Sequence, residues 1–355
     1  MITPSEANLV YRVLDANYNR AVEGLRVVEE FARFVISDPR ITSELKQLRH
    51  QLGLVCHPCI DQWASQRDSR ADVGAEITAA GEYSRANLGD VVAANLGRTG
   101  QALRALEEYS KTGEAEFASA IEKIRYQFYE TEKKVKRVAW VKSCLEDRPV
   151  YVLTSATESP ELFRHRVEEL CRAGADLIQL REKNLQDGEL LERAKIGVAA
   201  CQDANALFIV NDRPDIALMA GADGVHVGQE EFPVTDLRKM LPSRMLVGVS
   251  THSVEQAEKA VADGADYIGV GPTFETSTKC FSEFKGPGLL SEVAKRCSLP
   301  AFAIGGIDLQ NIDQVAQAGF SRVAVSGVVH RADSAEVVIA RLRSVLATSR
   351  ESSSS

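Results

Sequence analysis

From residue 149 onward one pattern repeats: a short run of apolar, often β-branched residues, then a stretch with helical spacing, then another run. The runs are VYVLT (150–154), DLIQLR (176–181), LFIVN (207–211), GVHVG (224–228), LVGVS (246–250), YIGVG (267–271), AFAIGG (301–306) and RVAVSG (322–327). Several are apolar on both faces, as a parallel strand covered by helices must be. Helices are expected between them, over 160–173, 187–202, 253–262, 309–317 and 333–346. Eight strand–helix units in about 200 residues fit a small (β/α)8 barrel of the TIM type over 149–348. The competing arrangement is a doubly wound open sheet, but no G-x-G-x-x-G follows the first run.

Residues 1–145 follow a different rhythm. Segments 14–35, 39–55, 86–113 and 114–140 carry helical spacing with little that reads as strand, so an all-α bundle is expected ahead of the barrel. The bundle contains a repeat. Ala16-Asn17-x-x-Arg20 followed by Leu25-Arg26-x-x-Glu29-Glu30 recurs as Ala94-Asn95-x-x-Arg98 followed by Leu103-Arg104-x-x-Glu107-Glu108. On a helix each Arg26 or Arg104 meets glutamates three and four residues on. Two readings stand: salt-bridged helix faces, or a pseudo-symmetric pair whose Asn17, Arg20, Asn95 and Arg98 converge on an anion. A third polar cluster, Arg67-Asp68 with Asp72 four residues later, lies between the copies.

Composition narrows the class. The 355 residues are 45% hydrophobic and 26% charged, as in folded globular chains, and suffice for two domains with cores. A net charge of −8 disfavours non-specific nucleic-acid binding. No apolar run approaches a membrane span and the N-terminus has no signal-peptide core, so a cytoplasmic location is expected, without membrane or nucleic-acid partners. The seven cysteines are odd in number and scattered; the Cys56-His57-Pro58-Cys59 pair has no second pair beside it, so structural or incidental thiols are expected. Residues 349–355, SRESSSS, read as a disordered tail.

In such barrels the chemistry collects at the C-terminal strand ends. Here those ends carry Gln179, Arg181 and Lys183; Asn211 and Asp212; His226, then Gln229 to Glu231; Ser250 and His252; the loop GPTFETSTK (271–279); Gly305-Gly306; and Ser326-Gly327. Glycines after the seventh and eighth strands let backbone N–H groups approach a phosphate, or simply make tight turns. Arg181, Lys183 and Lys279 beside Asp212 and Glu231 suit Mg²⁺ with a diphosphate, although either acid can instead pair with a cation. His226 sits within a strand, where packing competes with a role as base. No Ser/His/Asp set, HExxH or cysteine-rich metal site is present.

The motifs QLREK (179–183), VNDR (210–213), ADGVHVGQE (222–230), GVSTHS (248–253), GADYIGVGPTFETSTK (264–279) and AIGGI (303–307) occur in order over nearly the whole barrel. In these the barrel half resembles the thiamine-phosphate synthase family. The resemblance implies condensation of 4-amino-2-methyl-5-(diphosphooxymethyl)pyrimidine with a thiazole phosphate, giving thiamine phosphate and diphosphate through a pyrimidine-methyl cation. It implies that Gln179, Arg181, Lys183, Asn211, Ser250 and Lys279 hold the pyrimidine diphosphate and that Asp212 and Glu231 hold Mg²⁺. Thr276, Ser277, Thr278, Gly306, Ser326 and Gly327 would hold the thiazole phosphate. Glu231 stands where the family usually has Asp, and Val325-Ser326-Gly327 where Val-Ser-Ala is common. Related thiazole tautomerases usually lose the diphosphate cations and metal acids; Arg181, Lys183, Asp212 and Lys279 survive here. A tautomerase and a non-catalytic thiamine-precursor sensor are the alternatives. The helical half resembles an extension fused to some of these synthases, suggested to be an alternative hydroxymethylpyrimidine-phosphate kinase; a dimerisation module is the other reading. Small-molecule substrates and a homo-oligomeric assembly are expected.

Overall fold

The first helix starts earlier than its apolar spacing suggests because its N-terminus is capped. Thr3 accepts from the Glu6 amide while the Glu6 carboxylate takes the Thr3 N–H, and Pro4 fills the first helical position, where no hydrogen bond is lost. The computed structural model describes residues 3–70, 72–73, 84–156, 158–275 and 286–352. The chain divides into two compact units, Met1–Trp140 and Val141–Ser355.

In the first unit α1 spans Pro4–Phe31, α2 Pro39–Cys56, α3 Ile60–Ala64 and α4 Leu88–Ser110, and α5 begins at Ala115 and runs to Leu145. The Asp38-Pro39 stop of one helix is the start of the next: the Asp38 carboxylate accepts from the amides of Arg40 and Ile41. Leu25, Leu45, Leu52, Leu96, Leu103, Phe128 and Trp63 are fully buried together. Helices α1 and α4 approach closely at Gly24, where a Cβ would stand 2.3 Å from Thr99 Oγ1.

The repeat of the sequence is a repeat of ion pairs. Buried Glu29 meets Arg26 of its own helix at 3.3 Å and Arg49 of α2 at 2.9 Å. Buried Glu107 meets Arg104 at 3.0 Å, Lys111 at 2.9 Å and Arg125 of α5 at 2.6 Å. Burial opposes charge on Glu107, and its cations outweigh that and hold its carboxyl below the usual range. Cys56 is buried and its thiol is pushed up to about 12 by that burial, which leaves it unreactive near neutral pH.

The second unit is the barrel. Its strands and helices alternate: β1 (Val150–Thr154), α6 (Pro160–Arg172), β2 (Leu177–Leu180), α7 (Asp187–Asp203), β3 (Leu207–Asn211) and α8 (Pro214–Ala220). Next come β4 (Gly224–Val227), α9 (Val234–Met240), β5 (Leu246–Thr251), α10 (Val254–Asp263), β6 (Tyr267–Val270) and α11 (Gly286–Arg296). The chain finishes with β7 (Ala301–Ile304), α12 (Ile312–Gln317), β8 (Val323–Val325), α13 (Gly327–His330) and α14 (Ala335–Ser352). All neighbours are parallel, and β8 pairs with β1 through Val150 opposite Val323, which closes the barrel. The open-sheet alternative is thereby excluded. Helix α14 runs into the stretch expected to be a tail; lengthening an existing helix needs no new nucleus. No helix among the described residues is long and apolar enough to cross a membrane.

The N-terminal end of the barrel is tied by a triplet, Gly-Ala-Asp, used three times. Gly174, Gly221 and Gly264 have φ of 93°, 70° and 89°, the left-handed conformation that ends a helix and favours glycine. The alanine that follows is buried each time. The aspartate then binds the preceding strand: Asp176 accepts from Val150 N at 2.9 Å, Asp223 from Phe208 N at 2.8 Å and Asp266 from Val247 N at 2.7 Å. Arg343 pairs with Asp176 and Arg238 with Asp266.

Candidate active site

A cavity of about 650 Å³ opens at the C-terminal strand ends and takes lining residues from all eight strands or the loops that leave them. Of the residues singled out in the barrel sequence, Gln179, Arg181, Lys183, Asn211, Asp212, Glu231, Ser250, Gly306, Ser326 and Gly327 all line it. Thr276, Ser277, Thr278 and Lys279 lie outside the described residues.

Arg181 and Lys183 leave β2 in a loop shaped by the residue between them. The Glu182 carboxylate accepts from Ala156 N (3.2 Å), Lys183 N (2.8 Å) and Asn184 N (2.9 Å). Burial opposes its charge, but the three amides outweigh it and hold the carboxyl below its usual range. Glu182 is thereby occupied by backbone and makes no ion pair with Arg181 or Lys183. Among the described residues neither Arg181 nor Lys183 has an ion-pair partner. Arg213, by contrast, is fully engaged, with Asp215 and Asp187 each at 2.7 Å.

At the end of β3 the chain turns through Asp212 with φ of 59°. Its amide donates to His226 O at 2.8 Å, and Asn211 Nδ2 donates to its carboxylate at 2.6 Å. Burial raises the Asp212 carboxyl above its ordinary range, and the Glu231 charge raises it further; Lys183 and Arg181 oppose. Glu231 folds back over Gly228, whose added Cβ would stand 2.3 Å from the Glu231 carboxylate. Two acids thus share this edge. Asp212 and Glu231 supply hard oxygen donors that Mg²⁺ prefers, and a cation would relieve their repulsion. Among the described residues no group of three or more His, Cys, Asp or Glu is placed to hold a metal, so such an ion would need water or substrate oxygens as well.

Across the cavity, the loop after β7 is built for close approach. Gly305 and Gly306 have φ of 98° and 63°, and a Cβ on Gly306 would stand 2.2 Å from Glu275 O. Asn311 Nδ2 fixes this turn by donating to Gly306 O at 2.8 Å. Ser326 and Gly327 leave β8 beside it. Arg331, not anticipated from the sequence because it lies beyond the glycine turn at the end of α13, folds its guanidinium back over Gly327 and lines the cavity. A Cβ on Gly327 would stand 2.5 Å from that guanidinium.

The floor is polar inside an aromatic frame. Gln179 Nε2 donates to Tyr151 Oη at 2.5 Å, and Tyr151 Oη lies 3.2 Å from Tyr267 Oη. His226 Nδ1 is 3.3 Å from Tyr267 Oη, and His226 Nε2 is 3.0 Å from Ser250 Oγ. Phe302 packs edge-on against both tyrosines. His226 is therefore a buried, hydrogen-bonded strand residue. His252 does not cap the following helix: Ser253 does, while His252 Nδ1 meets Gly271 O.

In the helical unit Asn17 and Asn95 each donate to a carbonyl one turn back, Val13 O and Val91 O, both at 2.8 Å. Arg67 forms a fork on buried Asp15, at 2.6 and 2.7 Å. Arg20 and Arg98 are exposed, and Asp68 and Asp72 follow Arg67 in the same connecting segment.

Residues 150–329 match the family model described as thiamine monophosphate synthase, and residues 12–134 match the ThiD2 family. A thiamine-phosphate synthase of Rhodopirellula baltica is 44% identical, over 97% of this chain and 95% of that protein. One from Nostoc punctiforme is 40% identical, over 95% of this chain and 94% of that protein. Among solved structures, a thiamine phosphate pyrophosphorylase from Pyrococcus furiosus superposes with a TM-score of 0.51 at 30% identity, covering 57% of this chain and 97% of that one.

Proposed function

The chain belongs to the thiamine-phosphate synthase family, and on that premise we propose which of its residues carry each part of the reaction. The enzyme is a transferase. The methylene carbon of 4-amino-2-methyl-5-(diphosphooxymethyl)pyrimidine loses its bond to oxygen, diphosphate leaves with the electron pair, and the thiazole nitrogen forms the new C–N bond. Charge therefore accumulates on the departing oxygens, and preorganised cations at that point lower the barrier.

The observation that carries the assignment is the pair Arg181 and Lys183, cavity-lining cations held by a Glu182 loop without ion-pair partners among the described residues. They receive the diphosphate, with Lys279 joining them. Gln179, Asn211 and Ser250 orient the rest of that substrate. Asp212 and Glu231 would hold Mg²⁺, which would supply charge neutralisation to the leaving group. Gly306, Ser326 and Gly327 present backbone to the thiazole phosphate, joined by Thr276, Ser277 and Thr278. The site needs no protein nucleophile, because the thiazole nitrogen is one. A crystal of the full chain grown with thiamine phosphate, diphosphate and Mn²⁺ tests this placement. Anomalous signal beside Asp212 and Glu231 is expected, with diphosphate on Arg181 and Lys183; metal and diphosphate held elsewhere would overturn it.

For the helical unit the proposal is phosphorylation of hydroxymethylpyrimidine phosphate by ATP, which would make the diphosphate substrate of the barrel. The ThiD2 match of residues 12–134 supports this reading. Arg20, Arg67, Arg98, Asn17 and Asn95, with Asp68 and Asp72, are the candidate ligand residues. Full-length protein given ATP, pyrimidine monophosphate and thiazole phosphate should form thiamine phosphate. Turnover only when the diphosphate is supplied directly would leave a dimerisation module as the reading.

A further inference from the structure

Five residues on five strands meet under the cavity, and the Gln179 amide gives their hydrogen bonds a direction. Gln179 Nε2 donates to Tyr151 Oη, so the single Tyr151 proton is free to go onward to Tyr267 Oη, 3.2 Å away. Among the described residues the Tyr267 proton then has one acceptor in line, His226 Nδ1 at 3.3 Å. An imidazole that accepts at Nδ1 carries its proton on Nε2, and Nε2 faces Ser250 Oγ at 3.0 Å. Burial raises both phenols far above neutral pH, so each tyrosine keeps its one proton. We infer that Gln179 and Ser250 are the two ends of one polarised hydrogen-bond chain, in which Tyr151, Tyr267 and His226 in its Nε2–H tautomer act as positioning residues that turn the Ser250 hydroxyl proton outward to the substrate.

The inference rests on the assignment of Gln179 and Ser250 to that substrate. The fold holds the chain at its crossing point. A Cβ on Gly248 would stand 2.1 Å from Tyr267 Cζ and 2.5 Å from His226 Nδ1, so ring and imidazole meet only because residue 248 has no side chain. The tyrosine rings pack edge to face with each other and with Phe302, at centroid separations of 6.0, 5.3 and 5.6 Å, which fixes where the hydroxyls can be. Ser250 accepts from His226 and so has only its own proton left to give, and the cavity is where an anionic oxygen can take it. Reorienting the Gln179 amide would reverse every proton in the chain and leave Ser250 donating to His226 instead. Two substrate contacts on different strands, Gln179 and Ser250, are thereby coupled with no direct contact between them.

Nitrogen NMR of full-length protein labelled at histidine reads the chain directly, with the His226→Gln variant identifying the signal. A neutral imidazole protonated at Nε2 is expected, with and without Mg²⁺ and inorganic diphosphate. Protonation at Nδ1 would overturn the inference, whether or not the enzyme is active. Tyr267→Phe keeps the ring and removes the hydroxyl; it should give a mixed tautomer and lower kcat about tenfold, the worth of one oriented hydrogen bond, with KM for thiazole phosphate unchanged. Combined with Ser250→Ala, its effect should largely vanish, because the same hydrogen bond has already been lost. Additive losses with an unchanged tautomer would show a merely structural tyrosine. Failure to form thiamine phosphate at all would count against the catalytic assignment and leave the tautomer result standing.

Discussion

At the N-terminal end of the barrel Asp176, Asp223 and Asp266 each accept a backbone N–H from the preceding strand, and Asp176 and Asp266 also meet an arginine. At the C-terminal end Arg181 and Lys183 have no ion-pair partner among the described residues, and Asp212 sits where burial and Glu231 both resist its charge. The strands are the same at both ends and only the polar surroundings differ. A carboxylate satisfied by protein is structural, whereas charges left facing a cavity at a strand end await a ligand. Breaking one end should therefore damage catalysis, and breaking the other should damage stability.

The largest effect is expected at the mouth. Arg181→Met should lower kcat by roughly 10²–10³, as loss of one preorganised donor to a developing anion does, while leaving the melting temperature unchanged. A parallel fall in both would make Arg181 structural and erase the contrast. Asp212→Asn sharpens it: activity should fall, yet the protein without Mg²⁺ should melt higher, because a carboxylate whose charge is resisted has been replaced by a neutral amide. A lower melting temperature would contradict this.

At the other end Asp266→Asn takes the carboxylate from Arg238, which keeps its carbonyl partners Gly264 O and Met245 O, and weakens the hold on Val247 N–H. It should cost about 3 kcal/mol in urea unfolding, the scale for breaking a buried pair, with kcat per folded molecule unchanged. A drop in kcat without loss of stability would reverse the assignment of the two ends. Smallest is the effect of Glu182. Its folded-state pKa lies below 4.5, so it contributes stability above that pH and loses the contribution as pH falls through the lower folded value. Glu182→Gln should flatten the acid side of the stability profile from pH 4.5 downward; an unchanged profile would mean the three amides do not bind the charge.

Much of this was legible because burial leaves a period. Several strand runs are apolar on both faces, and β1 and β3 occupy the expected residues 150–154 and 207–211; the other strands match to within a residue or two at their ends. The mouth was legible because barrel topology sends every strand end to one face, so Gln179, Asp212 and Ser250 could be gathered without knowing any distance. The Gly-Ala-Asp ties were not singled out in the sequence, since nothing local says that Asp266 reaches back to Val247 on another strand. The chain through Tyr151, Tyr267 and His226 was hidden for a related reason: an inward-facing tyrosine on a buried strand reads as core, and its partners stand on other strands. Arg331 was missed because it comes after the glycine turn and reaches the cavity only by folding back. The repeated Arg and Glu residues were visible, and it took three dimensions to show that Arg49 and Arg125 complete each pair from a second helix.

If the unpaired charges at the C-terminal end exist to take up a leaving diphosphate, product stoichiometry tests that most directly. Purified full-length protein with Mg²⁺, the pyrimidine diphosphate and the thiazole phosphate should release thiamine phosphate and inorganic diphosphate in equal amounts, followed by phosphorus NMR. Isomerised thiazole without diphosphate, or substrates bound and returned unchanged, would contradict it.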